Sequence, residues 1–233
     1  MTRETDPYVI GHRGTLATHA ENTIGAVVAA AFHVDAVEID VRRCGSGEVV
    51  VFHDETLERV CGVETRLADL TLDELREYTV GDSDEGIPTL RELLSALPDC
   101  VDVNVELKET GLAADVAAAL DDVANDGFVS SFFAQALVES RRADPTLPRA
   151  LLYTHRTEWG RAVAAAERLG CTYLHPYVDA ITPERVASAR AKGFSVNVWE
   201  IETASELARV VDAGADGVIV DDYRLARAAY PAD

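Results

Sequence analysis

Residues 195–220, SVNVWEIETASELARVVDAGADGVIV, contain the patterns of a strand, a helix and a second strand in direct succession. The segments Ser195–Trp199 and Gly217–Val220 are apolar and rich in β-branched residues, which is typical of strands covered on both faces. Between them, Ala204–Ala213 has a helical pattern, and Gly214 follows it where a left-handed residue is needed. The stretch therefore predicts two parallel strands joined by a helix.

The same alternation extends over the chain of 233 residues. The predicted strands are Tyr8–Gly11, Ala36–Val41, Asp102–Leu107, Gly127–Phe132, Ala150–Thr154, Thr172–His175, Ser195–Trp199 and Gly217–Val220. Most are joined through alanine-rich helical patterns, such as Leu112–Val123 and Trp159–Leu169. The pattern belongs to the α/β class, and closure into a TIM-type (β/α)8 barrel is its natural solution.

A doubly wound open sheet is the competing fold. It favours a GxGxxG loop after the first strand, and Gly11-His12-Arg13-Gly14 does not match that motif. A single barrel domain over residues 1–233 also agrees with the length of the chain, since such barrels fill roughly 200–250 residues.

One segment interrupts the alternation. Glu48–His53 has the pattern of a strand, but it follows Ala36–Val41 too closely for a helical crossover. A hairpin through Gly45-Ser46-Gly47 fits this short gap. We predict that residues 54–86, which follow the hairpin, form a small insertion over the mouth of the barrel.

The hairpin brings polar residues together. With Ser46 at its centre, Asp40 lies opposite Phe52, and His53 reaches the level of Glu38 and Asp40. The face that His53 takes depends on the register, because a slip of one residue reverses it.

The chain carries a net charge of −20 and only two lysines, Lys108 and Lys192. This charge argues against nucleic acid as a partner, and a phosphate site would need its own local cations. An acidic, lysine-poor composition is also what a protein adapted to high salt would show, so we hypothesise that the protein is halophilic.

The remaining composition favours a cytoplasmic protein. Its four cysteines are widely scattered and form no CxxC pair, so neither a zinc site nor a disulfide framework is indicated. The first residues lack the apolar stretch of a secretory signal, and no apolar run is long enough to be inserted stably in a membrane. The oligomeric state cannot be read from these features.

Carboxylates are predicted at the carboxyl ends of two strands, where barrel enzymes keep their sites. Glu38 and Asp40 are spaced i, i+2 and share one face of their strand, as do Glu106 and Lys108. If these faces point inward, three carboxylates converge, and a divalent cation would offset the cost of their burial. An all-oxygen set favours Mg²⁺, Ca²⁺ or Mn²⁺ over zinc. The alternative is that Glu38 and Glu106 pair with Arg13 and Lys108 in buried salt bridges.

The other polar residues at this end suit a phosphodiester. Arg13 offers a bidentate fork and Lys108 a point charge for a phosphate group. One of His12 and His53 can take a proton from the nucleophile while the other protonates the leaving alcohol. Trp199 either packs in the core or stacks against the substrate at the barrel mouth.

The remaining histidines are interpreted as structural, and they are His19, His33, His155 and His175. Of these, His175 ends a strand and is the one that could line the pocket. Asp221 and Asp222 follow the last strand, where we expect them to cap the next helix rather than bind a metal.

A set of short motifs along the chain, taken in their sequence order, closely resembles the motifs of the glycerophosphodiester phosphodiesterase family. The matching pieces are Gly11-His12-Arg13-Gly14, Glu21-Asn22-Thr23, Glu38-Ile39-Asp40-Val41, Phe52-His53-Asp54-Glu55-Thr56-Leu57, Ile87-Pro88-Thr89-Leu90, Glu106-Leu107-Lys108 and Asn197-Val198-Trp199. One departure is Ala20, which stands where the family usually has proline before Glu-Asn-Thr and which affects the stiffness of that loop.

The resemblance implies a TIM barrel with a small insertion after the second strand. It implies one divalent cation, Mg²⁺ or Ca²⁺, on Glu38, Asp40 and Glu106. It implies His12 and His53 as the acid–base pair, with Arg13 and Lys108 holding the phosphate.

The expected activity is metal-dependent hydrolysis of a small glycerophosphodiester, such as glycerophosphocholine or glycerophosphoethanolamine, to glycerol phosphate and an alcohol. A phospholipase D-like enzyme acting on intact lipid is one alternative, although residues 54–86 are polar for such a role. A barrel that binds a phosphoester without catalysis is the other.

Overall fold

The computed structural model describes residues 6–154 and 156–230. Within them, eight parallel strands close into a ring, and a ninth strand pairs with the ring from outside. The strands are β1 Tyr8–Gly11, β2 Ala36–Arg43, β3 Val49–Val51, β4 Asp102–Leu107, β5 Gly127–Ser131, β6 Arg149–Tyr153, β7 Tyr173–Pro176, β8 Ser195–Ile201 and β9 Gly217–Val220. The predicted barrel class is confirmed.

Helices follow the strands around the ring. They are α1 Ile24–Ala30, α2 Glu58–Cys61, α3 Leu72–Leu75, α4 Leu90–Ala96, α5 Ala113–Asp121, α6 Ala134–Ala143, α7 Trp159–Leu169, α8 Pro183–Arg190, α9 Ala204–Asp212 and α10 Tyr223–Ala229. Thr23, Thr182 and Thr203 cap α1, α8 and α9 with their hydroxyl groups. No helix in residues 6–154 and 156–230 is long and apolar enough to cross a bilayer.

Ring closure is made by β1, which pairs in parallel with β9 on one side and with β2 on the other. Gly11 lies opposite Val220, so the loop after β1 starts beside the loop after β9. As a consequence, residues from the two ends of the chain meet at the carboxyl end of the barrel.

The hairpin after β2 has the predicted register. β3 runs antiparallel to β2 with Val41 opposite Val51, and the amide of Phe52 donates to the carbonyl of Asp40 at 2.9 Å. β3 itself is only three residues long, shorter than the predicted strand Glu48–His53. His53 therefore lies just beyond the paired segment.

Residues 54–86 contain α2, a 3-10 turn at Leu67–Asp69, and α3. This segment has a separate apolar cluster that includes Leu57, Leu67 and Leu75, together with Val50 and Phe52 from the hairpin. After the short helix α3, Thr79 pairs with Gly86 in an isolated antiparallel bridge.

The two faces of the ring are buried differently. Outward-facing residues of the strands, such as Val37 and Ile39, join the large core beneath the helices. Inside the ring, a small apolar layer includes Ile10, Phe128 and Ile219. Polar side chains occupy the interior toward the carboxyl ends of the strands, where they form the site described next.

Candidate active site

Three carboxylates converge inside the ring. The i, i+2 spacing places Glu38 and Asp40 on the inward face of β2, and the parallel register sets Glu106 of β4 opposite Asp40. One ligand oxygen from each of the three lies within 4.8 Å of the others. All three side chains are buried.

The loop after β1 supports this cluster with its backbone. The amide of Arg13 donates to Glu38 Oε2 at 2.9 Å. Asn22 donates its side-chain amide to Asp40 Oδ2 at 2.9 Å and accepts from the Asp40 amide at 3.1 Å. The sequence had not identified Asn22 as a partner of the carboxylates, although it lies in the Glu21-Asn22-Thr23 motif.

Glycines are required where this loop turns sharply. A Cβ on Gly11 would lie 2.2 Å from the carbonyl oxygen of Gly14, and Gly14 has a φ of +84° against the backbone of α1. Farther along the loop, the Thr23 hydroxyl donates to the carbonyl of Ala20 at 2.8 Å. The loop is thus tied by hydrogen bonds at the position where the family usually has proline.

Each of the two histidines is held by an aspartate. His12 Nδ1 lies 2.6 Å from Asp221 Oδ1, and His53 Nδ1 lies 2.6 Å from Asp54 Oδ1. In both imidazole rings, Nε2 is available to a substrate, because the aspartate carboxylate occupies Nδ1.

Of the two acids after β9, only one caps the next helix. Asp222 accepts from the Arg224 amide at the start of α10, as predicted. The expectation that Asp221 also acts as a cap was wrong, since its carboxylate binds His12 across the junction of β1 and β9. The parallel pairing of those strands was the signal that could have identified it.

The two histidines have different electrostatic surroundings. Burial lowers the pKa of His12, but the hydrogen bond to Asp221 and the neighbouring carboxylates outweigh it and raise the pKa to about 9. Burial also lowers the pKa of His53, and the nearby charge of Asp40 does not fully offset that effect. These surroundings favour a protonated His12 and a neutral His53 at neutral pH.

The two predicted phosphate-binding cations border the carboxylates. Lys108 Nζ lies 2.8 Å from Glu106 Oε1 and 3.4 Å from Asp40 Oδ1. Arg13 Nε lies 3.2 Å from Asp40 Oδ2, while its Nη1 donates to Glu21 Oε1 at 2.8 Å. Glu106 thus forms the salt bridge with Lys108 that the alternative describes. Glu38 instead accepts a hydrogen bond from the backbone amide of Arg13.

The carboxylates fit a divalent cation. Among the described residues, Glu38 Oε1 and Asp40 Oδ1 accept no hydrogen bond, although both oxygens are buried. Burial and the charge of Asp40 raise the pKa of Glu38 to about 8 and that of Glu106 to about 7. A cation among these oxygens would offset both effects, and an all-carboxylate set suits a hard ion.

Trp199 closes one wall of the site and also contacts the apolar layer inside the ring. Its ring packs edge-to-face against Phe132 and Tyr177, with centroid distances of 5.4 and 5.1 Å. Its indole Nε1 donates to the carbonyl of His175 at 2.8 Å. Both interpretations of Trp199, core packing and substrate contact, are therefore compatible with its position.

A single cavity joins these groups. Its lining residues are His12, Arg13, Glu38, His53, Asn104, Glu106, Lys108, Ser130, Phe132, Leu152, Trp199, Glu200 and Ile219. Seven of the eight residues that we predicted for the site line this cavity. The eighth, Asp40, contacts two of them, Arg13 and Lys108.

Three polar residues of this cavity were missed, namely Glu200 and the buried pair Asn104 and Ser130. Asn104 precedes Glu106 by two residues and shares its inward face, and Ser130 lies opposite Glu106 in the parallel register. Their side-chain polar atoms are buried and have no hydrogen-bond partner among the described residues. The i, i+2 rule that identified Glu106 would also have identified Asn104.

The other histidines lie outside this cavity as far as the structure describes them. His175 is fully buried, which lowers its pKa to about 3, and its Nε2 lies 3.2 Å from the amide of Asn197. His33 stacks on Tyr223 away from the site. His155 lies outside the described residues.

Sequence comparisons give one consistent result. The family model described as the glycerophosphoryl diester phosphodiesterase family matches residues 12–225. A glycerophosphodiester phosphodiesterase from Caldanaerobacter subterraneus subsp. tengcongensis is 31% identical over 231 residues, which cover 92% of this chain and 93% of that protein. A probable glycerophosphodiester phosphodiesterase 1 from Mycobacterium tuberculosis is also 31% identical, over 86% of this chain and 84% of its own.

Solved structures agree with the sequence matches. A phosphodiesterase from Oleispira antarctica, in complex with the product sn-glycerol-3-phosphate, superposes with a TM-score of 0.89 at 26% identity and covers 97% of both chains. A glycerophosphodiester phosphodiesterase from Thermotoga maritima superposes with a TM-score of 0.83 at 29% identity, over 96% of this chain and 98% of that chain. The likeness therefore includes the whole barrel.

Proposed function

Because the chain belongs to the glycerophosphoryl diester phosphodiesterase family, we propose that it hydrolyses a glycerophosphodiester to glycerol phosphate and an alcohol by metal-dependent acid–base catalysis. It is a glycerophosphodiester phosphodiesterase, a phosphoric diester hydrolase. The observation that carries the finer proposal is the convergence of three carboxylates, two aspartate-held histidines and two cations at one cavity.

The proposed substrate is a deacylated phospholipid, such as glycerophosphocholine or glycerophosphoethanolamine. The relative from Oleispira antarctica was solved with sn-glycerol-3-phosphate as its product, which supports a glycerol phosphate product here. A cytoplasmic location and the lack of a nucleic-acid partner stay predictions from composition.

Arg13 and Lys108 hold the phosphate group. Both side chains are largely buried at the edge of the carboxylate cluster, so they supply the local positive charge that a phosphate site needs in a chain of net charge −20. Arg13 can bind two phosphate oxygens at once, and Lys108 adds a single charge-assisted hydrogen bond. When bound by Glu38, Asp40 and Glu106, a divalent cation supplies a Lewis acid that polarises phosphate oxygens.

The two histidines transfer the protons. His53, whose pKa is lowered, takes the proton of the attacking hydroxyl at Nε2 as the new P–O bond forms. His12, whose pKa is raised, gives its Nε2 proton to the leaving oxygen as the old P–O bond breaks. The nucleophile is either a water molecule or the neighbouring glycerol hydroxyl. Phosphorus NMR of the reaction distinguishes them, because only the hydroxyl route forms a cyclic phosphate.

The direct test is an assay of the purified protein with glycerophosphocholine after treatment with EDTA. We expect no turnover in EDTA and recovery on addition of Mg²⁺, Ca²⁺ or Mn²⁺, because the carboxylate cluster needs a cation to bind the phosphate productively. Released glycerol phosphate and choline are measured separately. Equal turnover with and without EDTA would refute metal dependence, and binding without turnover would favour the non-catalytic alternative.

The protein's salt dependence tests the halophilic hypothesis. With a net charge of −20, like charges repel one another at low ionic strength, and salt screens that repulsion. We expect the midpoint of thermal unfolding and the activity both to rise from dilute buffer to molar KCl. An unfolding midpoint that does not change over this range would reject the hypothesis.

A further inference from the structure

Arg59 of α2 joins the small insertion to two acids at the edge of the site. Its Nε donates to Asp54 Oδ2 at 2.6 Å. Its two terminal nitrogens, Nη1 and Nη2, donate to the two carboxylate oxygens of Glu21, also at 2.6 Å. All three nitrogens of one guanidinium group are therefore engaged by carboxylates from two different segments.

Each of these acids leads to a group of the proposed mechanism. The second oxygen of Asp54 holds His53 Nδ1 at 2.6 Å. Glu21 Oε1 also accepts from Arg13 at 2.8 Å, and Arg13 in turn lies 3.2 Å from Asp40. One guanidinium group thus lies one residue away from the proposed base on one side and from the proposed phosphate-binding arginine on the other.

The burial of Glu21 separates this contact from an ordinary surface ion pair. The Glu21 side chain is only 8% exposed, whereas that of Arg59 is 49% exposed. Exposed pairs contribute little to stability, but a bidentate contact to a buried carboxylate fixes the orientation of both groups. If Arg59 is removed, Glu21 keeps only Arg13 as a cation partner among the described residues, and Asp54 loses the contact that fixes its second oxygen while its first oxygen binds His53.

We propose that Arg59 is a positioning residue for catalysis, which aligns His53 through Asp54 and Arg13 through Glu21. The proposal rests on the proposed function, since it requires that His53 and Arg13 act in the reaction. It also gives the insertion a role in catalysis, because folding of α2 brings the guanidinium group to both acids. Geometry rather than charge is the decisive property, because a lysine ammonium group has a single nitrogen and cannot reproduce the planar fork by which three nitrogens bind Glu21 and Asp54.

The test compares kcat and KM of Arg59→Met and Arg59→Lys with the wild type on glycerophosphocholine. We expect kcat to fall about 100-fold in both variants, because small misplacements of catalytic groups have effects of that order. The matched control is Arg76→Met, since Arg76 also lies in the insertion but forms an exposed pair with Glu92 at 3.1 Å. Its kcat should equal that of the wild type.

A double-mutant cycle separates positioning from general loss of structure. In the Asp54→Asn background, Arg59→Met should cost at least tenfold less in kcat than in the wild type, because the path to His53 is already broken. Circular dichroism and thermal unfolding check that every variant is folded. An unchanged kcat in Arg59→Lys, or equal fold losses for Arg59→Met in both backgrounds, would overturn the proposal.

The variant His53→Ala is measured alongside to keep two failures apart. If His53→Ala is inactive while Arg59→Met and Arg59→Lys are fully active, the positioning role of Arg59 is wrong and the proposed function stands. If His53→Ala itself retains normal turnover, the proposed mechanism is wrong, and the positioning role is wrong with it.

Discussion

Replacement of either His12 or His53 by alanine is expected to lower kcat on glycerophosphocholine by about 1,000-fold, within the range of general acid–base catalysis. Each ring is fixed by an aspartate on Nδ1, so each presents one nitrogen for proton transfer. His33→Ala is the control, because His33 stacks on Tyr223 away from the cavity. Near-normal turnover in either active-site variant would contradict the assignment.

The choice of substrate distinguishes the acid from the base. In bis(p-nitrophenyl) phosphate the leaving group departs as a stable anion, so it needs no proton from the enzyme. His12→Ala should therefore lose much less activity on this substrate than on glycerophosphocholine, whereas His53→Ala should lose similar factors on both. The opposite pattern would exchange the two roles.

The pH profile gives a second readout of the same roles. In the proposed mechanism, turnover requires a neutral His53 and a protonated His12. It should fall at acidic pH as His53 gains a proton, below its ordinary pKa of about 6.5. Activity should fall again at alkaline pH as His12 loses its proton, since the pKa of His12 is raised to about 9. A cation bound beside Glu38 would lower this pKa and shift the alkaline limb to lower pH. A profile that lacks both limbs would contradict these roles.

The second large effect is expected for Glu106→Gln, which should raise the metal concentration for half-maximal activity by more than about 100-fold. Loss of a residue that only orients a ligand already costs 10–100-fold in metal affinity, and Glu106 is proposed as a ligand itself. The glutamine keeps the size of the side chain and removes its charge. Metal titration of EDTA-treated protein, by activity and by calorimetry, measures the change.

Asp102→Asn is the matched control for this substitution. Asp102 lies on the same strand, β4, and its carboxylate accepts a hydrogen bond from the Tyr8 hydroxyl at the opposite end of the ring. It should leave the metal titration unchanged. If Glu106→Gln also leaves the titration unchanged, Glu106 belongs only to its ion pair with Lys108, as in the salt-bridge alternative.

The pH dependence of thermal unfolding tests cation binding to the carboxylate cluster without measuring activity. The pKa of Glu38 is raised to about 8 and that of Glu106 to about 7, so the folded state binds these protons more tightly than the unfolded state does. In EDTA, this contribution to stability is present below pH 4.5 and is lost as the pH rises toward 8. A bound cation should therefore raise the unfolding midpoint more at pH 8 than at pH 5. Glu106→Gln should reduce that difference.

Most of the barrel could be predicted because its signals are local in the chain. Apolar strand patterns repeat along the chain with helical patterns between them, and β1, β4 and β9 have the predicted bounds. The spacing of Glu38 and Asp40 also placed both on one face of β2. The hairpin register followed from turn length, since a short loop leaves few ways to pair two strands.

The partners of the catalytic candidates depended on contacts between distant segments. Asp221 reaches His12 only because ring closure pairs β1 with β9, at opposite ends of the chain. Arg59 meets Glu21 only after α2 folds against the loop that follows β1. The sequence by itself determined the barrel, the inward carboxylates and the two histidines, since periodicity and short spacings specify them. Tertiary structure alone decided that Asp221 holds His12 and that Arg59 contacts Glu21, because closure of the ring and the folding of α2 set those distances.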